Sequence, residues 1–217
     1  MKSGVLLAFI VLFTSFFLLG KMQANPGSSS NKALLVQQKG KILPPFSFVI
    51  STDKTFSNQD LLNRWTLFFI GYTYCPDICP TTLMDLNRIY PALVAPPYSN
   101  IQVVFVSVDP NRDQADHLTE YVHYFNPHFK GVTGTHQQLF PFAQNLGLVY
   151  SIVDQPLDKY YLIDHSASLV LINPRGEHHA TFKAELNKDG IAHVDMDLMV
   201  EDIHQIYQNW QENTTSY

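Results

Sequence analysis

Cysteine is almost missing from this chain: of 217 residues only Cys75 and Cys79 carry a thiol. A framework of several disulfides is therefore excluded, and both thiols fall in one turn, where a structural disulfide would close too short a loop to restrain the unfolded chain strongly. Basic clusters are also lacking. The formal net charge is −5, and no run of Lys or Arg supplies the electrostatic footprint that nucleic acid requires, so nucleic-acid partners are excluded. Internal repeats are absent as well, which argues against a solenoid or array.

The chain does contain an apolar run from Gly4 to Gly20, flanked by Lys2 and Lys21. Its length stands at the lower limit for a membrane-spanning helix and above the usual core of a cleaved signal peptide. The best local cleavage match, Met22-Gln23-Ala24, has Met where a small residue is wanted. Residues 1–24 are therefore expected to form an uncleaved signal-anchor. A mitochondrial presequence would be Arg-rich, whereas this run contains no Arg, so the expected location is the inner membrane with the remaining chain in the periplasm. Residues 25–33, rich in Ser, Gly and Asn, read as a flexible linker. Residues 34–217 are long enough for one domain with a sizeable core.

Within that domain strand and helix signals alternate, the pattern of an α/β fold with a sheet flanked by helices. Trp65 to Gly71 and Gln102 to Asp109 are continuous apolar runs, as expected of strands covered on both faces. Helices are predicted from Pro80 to Tyr90, Asp113 to Phe125, Gln137 to Leu146 and Met196 to Trp210. A hairpin is predicted from Ser168–Ile172 and Glu177–Phe182 around the turn Asn173-Pro174-Arg175-Gly176. His178 and His179 point to opposite faces of that strand and are expected to be solvent-exposed.

The cysteines thus sit at a strand-to-helix junction, in Cys75-Pro76-Asp77-Ile78-Cys79-Pro80. A helix N-terminus favours the thiolate, the form that binds metals and attacks disulfides. Spacing of i, i+4 brings both sulfurs to one side of a turn, close enough for a shared metal or a mutual disulfide. Two thiolates select soft ions, Cu(I) first and zinc second. A metal site, a redox couple and a simple disulfide all remain open on this evidence.

The cysteine motif after an apolar strand, Ser107-Val108-Asp109-Pro110, and Asp164-His165 ahead of a strand and an Asn-Pro-x-Gly turn together resemble the Sco/SenC family. The resemblance covers about Leu43 to Tyr207. It implies a thioredoxin-like fold with a central mixed sheet, and a membrane-anchored copper protein serving the assembly of cytochrome c oxidase. It also implies Cys75, Cys79 and His165 as ligands of copper, as Cu(I) or Cu(II). His165 lies where thioredoxins place a proline facing their thiols, and this chain has no proline there. Asp77, Asp109 and Asp164 are candidates for supporting the ligands from outside.

The implied partners are the copper-bearing subunit of the oxidase and other periplasmic copper carriers. Such a protein is a carrier rather than a turnover enzyme. The competing reading is a membrane-anchored thiol-disulfide oxidoreductase acting on oxidase cysteines. A thioredoxin-fold peroxidase fits less well, because Tyr72 stands where peroxiredoxins have Thr.

Overall fold

Alternating side-chain direction along two buried strands organises the molecule. A computed structural model describes residues 34–215, apart from positions 52, 99, 154–160 and 189. The expected anchor (1–24) and linker (25–33) lie outside the described residues. No described helix is long and apolar enough to cross a membrane.

The chain opens with β1 (Leu34–Ile42), the hairpin β2 (Ser47–Ser51) and β3 (Lys54–Ser57), and a short 3-10 turn, Asn58–Leu61. β4 (Trp65–Gly71), α1 (Ile78–Val94) and β5 (Ile101–Ser107) follow, then α2 (Ala115–Phe125), β6 (Lys130–Val132) and α3 (His136–Asn145). A ribbon of β7 (Tyr150–Ile152) and β8 (Ile163–His165) precedes the hairpin β9 (Leu169–Ile172) and β10 (Glu177–Phe182). The small pair β11 (Glu185–Leu186) and β12 (Ala192–His193) leads into α4 (Met196–Thr215).

Six strands form one mixed sheet in the order β1-β10-β9-β4-β5-β6. β4, β5 and β6 run parallel, in register from Trp65↔Ile101 to Gly71↔Ser107 at the centre. β9 joins β4 antiparallel, and the β9–β10 hairpin and β1 complete that side. Every residue of β4 and β5 is buried, because helices cover both faces. Leu67 and Phe69 face one way, into a core with α1, α2 and α4; Phe68 and Ile70 face the other, toward α3 and the β2–β3 hairpin. Each such Leu or Phe contributes roughly 1.5–3 kcal/mol by leaving water.

The predicted elements are present with shifted ends. α1 starts two residues early, at Ile78, with Pro80 in its first turn where a missing N–H leaves no bond unmade. α2 starts at Ala115 rather than Asp113, because Asp113 is fully buried and engaged elsewhere. The Asn173 turn forms as predicted: its Oδ1 accepts from the N–H groups of Arg175 and Glu177 at 3.0 and 3.1 Å, and Gly176 adopts φ 77°, which favours glycine.

The expectation of exposure at His178 and His179 is overturned. His178 lines a cavity with the end of α3, Gln144 to Gly147, beside a register shift between His178 and Ala180; it is 4% exposed and its Nε2 is 2.8 Å from Thr181 Oγ1, because neighbouring elements cover the strand there. His179, on the other face, meets the rings of Trp65 and Trp210 edge-on. Burial lowers the pKa of both imidazoles.

Candidate metal centre

β4 ends at Gly71, and the loop to α1 carries Cys75 half-buried and Cys79 fully buried in the first helical turn. Gly71 is required here by space. A Cβ at this position would lie 2.6 Å from Cys79 Sγ and 2.8 Å from the Phe105 ring, so only hydrogen leaves room for the sulfur. The loop is held from below by Asp113. Its carboxylate accepts from Thr73 N–H at 2.9 Å, from the Thr73 hydroxyl at 2.5 Å and from the Ser107 hydroxyl at 2.5 Å. Burial raises the Asp113 pKa against these bonds, which pull it down.

His165 arrives from the far end of the chain on β8, paired with Tyr150 of β7. Its Nε2 stands 3.3 Å from Cys79 Sγ. Its Nδ1 is 3.2 Å from the Ser166 carbonyl, which accepts from the ring when Nδ1 carries the proton; that tautomer turns the Nε2 lone pair toward the sulfurs. Phe69 and Tyr72 flank the ring edge-on. One donor atom from each of Cys75, Cys79 and His165 lies within 4.8 Å of the others, and among the described residues this is the one cluster of its kind.

The two thiols are free and divide a proton unequally. The hydrogen bond from Cys79 lowers the Cys75 pKa to about 3, against burial, with help from His165 and the N–H groups of Asp77 and Cys79. Burial, then the same bond to Cys75, raises the Cys79 pKa well above that of an ordinary thiol. The opposite shifts describe one coupled pair, with Cys75 as thiolate and Cys79 as thiol. A soft cation would meet a preformed thiolate, an imidazole nitrogen and a thiol that must release its proton. This donor set fits copper in either oxidation state.

The three candidate aspartates stand differently. Asp77 is exposed at the helix N-cap, where its side chain makes no capping bond; its contribution is the backbone N–H to Cys75. Asp164 is exposed on β8 next to His165, and strand alternation turns it to the other side. Asp109 is 1% exposed and binds Arg112 and the Tyr161 hydroxyl rather than a ligand. Sequence reasoning missed Asp113 as a support of the loop. The available signal was a second acidic residue closing Asp109-Pro110-Asn111-Arg112-Asp113 directly after a buried strand.

Residues 36–199 match the family described as SCO1/SenC. A putative copper-binding protein of Stutzerimonas stutzeri is 34% identical over 161 residues, covering 74% of this chain and 78% of that protein. The crystal structure of Arabidopsis thaliana ScoI with copper bound superposes with a TM-score of 0.63 at 30% identity, over 76% of this chain and 99% of that one. Apo Sco1 of Thermus thermophilus, seen in solution, gives a TM-score of 0.68 at 27% identity, over 83% and 99% of the two chains. The chain spans about half the length of the mitochondrial relatives it matches.

Proposed function

Since the chain belongs to the SCO1/SenC family, we propose that it carries copper and serves as an assembly factor for the dinuclear copper site of cytochrome c oxidase. Cys75, Cys79 and His165 hold the ion, and the observation that carries this reading is the convergence of their donor atoms within 4.8 Å. The partners in this reading are the copper-bearing oxidase subunit and other periplasmic copper carriers. Residues 1–24, through their apolar run from Gly4 to Gly20, anchor the protein in the inner membrane, with residues 34–217 in the periplasm.

A second reading has one observation in its favour. A half-exposed Cys75 thiolate beside a buried Cys79 thiol is also the arrangement of an attacking and a resolving cysteine, which suits thiol-disulfide exchange on oxidase cysteines. The two readings part at His165, since thiol exchange needs no imidazole ligand.

The test is copper titration of the reduced protein. One Cu(I) per chain is expected, lost almost completely in Cys75→Ser and in Cys79→Ser. Tight stoichiometric copper in both single variants would place the site elsewhere. In a strain lacking the native protein, His165→Ala should fail to restore oxidase activity; full rescue by a stably expressed His165→Ala protein would favour thiol exchange.

A further inference from the structure

The centre is assembled from two parts of the fold with no shared backbone pairing among the described residues. The cysteines belong to the β4–α1 junction of the main sheet, whereas His165 rides on β7–β8, a separate two-stranded sheet. A side-chain knot joins them. Arg112 lies in the segment after β5, which begins Val108-Asp109-Pro110, and its side chain is 13% exposed. Its Nε donates to Asp109 Oδ2 at 2.5 Å.

The Arg112 guanidinium carbon lies 3.6 Å from the Tyr161 ring centroid, 4.8 Å from that of Tyr74 and 5.6 Å from that of Tyr72. Tyr72 and Tyr74 belong to the cysteine loop; Tyr161 belongs to the approach to β8. The Tyr161 hydroxyl also donates to the other Asp109 oxygen, and the Tyr72 hydroxyl accepts from Ile163 N–H at 3.3 Å, two residues before His165.

We propose that Arg112, anchored on Asp109, is a positioning residue that staples the histidine ribbon to the cysteine loop and so sets the approach of His165 to the two sulfurs. The inference rests on the copper reading above. A planar guanidinium can stack on several rings while its edge donates to a carboxylate, and an ammonium cannot do both. The staple gives the Asp109-to-Arg112 segment a role that contact with the metal does not require.

Arg112→Lys keeps the charge and removes the plane. In reduced, metal-free, full-length protein this variant should speed amide exchange at Ile163 and His165 about tenfold, the weight of roughly one net hydrogen bond, while the β4 amides keep wild-type protection. On loading with Cu(II), the imidazole-nitrogen hyperfine signal should weaken, with Cu(I) stoichiometry unchanged. Support requires both results, and wild-type behaviour in either overturns the staple. Should Arg112→Lys not fold, Tyr161→Phe removes only the hydroxyl that meets Asp109 and is held to the same two readouts with a smaller shift. Absence of thiol-dependent copper uptake by the wild-type protein would defeat the copper reading instead, and the metal-free exchange would then decide the staple alone.

Discussion

Cys75 and Cys79 are the same residue type four positions apart, yet burial and one shared hydrogen bond drive their acidities in opposite directions. With the Cys75 pKa lowered to about 3, its thiolate is present above that pH and is lost only as pH falls through it. Iodoacetamide should therefore modify Cys75 in the reduced, metal-free protein at a rate nearly flat from about pH 5 to about pH 8, with Cys79 spared throughout. Peptide mapping of the alkylated protein checks this. A rate rising about tenfold per pH unit from about pH 5 to about pH 8 would mean an ordinary thiol and would contradict the coupled-pair description.

Among the elements, the helices were the most legible in the sequence and the ribbon the least. The period of 3.6 revealed α4, though the buried stripe runs through Met196, Met199, Ile203 and Ile206 while Leu198 is 39% exposed, off the stripe. β7 and β8 have three residues each, too few to show a period, and they pair across a break in the described chain. α4 packs its stripe on the face of the sheet that also holds Cys79, and among the described residues it contributes no member to the donor cluster. Met199→Ala, at a site 1% exposed, should cost about 3 kcal/mol through lost burial and a cavity. Urea denaturation would measure the loss, while Cu(I) stoichiometry stays at one per chain. A loss under about 1 kcal/mol would mean that the core collapses around the gap.

At the scale of the whole molecule, the proposed location depends on residues 1–24 and on no feature of the folded domain. The net charge of −5 disfavours electrostatic attraction of the whole protein to anionic lipid. The full-length protein should stay with membranes through an alkaline carbonate wash, and protease added to spheroplasts should digest the domain. Quantitative recovery of a shortened soluble form would show that residues 1–24 act as a cleaved signal peptide.

The sequence alone determined the cysteine pair, its place between a doubly covered strand and a helix, and the α/β alternation, because each is written in neighbouring residues: an apolar run, an i, i+4 spacing, a helical period. The resemblance added His165 by position. Only the tertiary structure decided that its Nε2 comes within 3.3 Å of Cys79 Sγ, that Asp113 rather than Asp77 or Asp164 supports the cysteine loop with its carboxylate, and that Asp109 and Arg112 tie two separate sheets together. It also decided that His178 is buried, since the end of α3 comes to lie beside it. These outcomes depend on groups far apart in the chain, and whether such groups meet is set by packing and strand register, which local spacing does not encode.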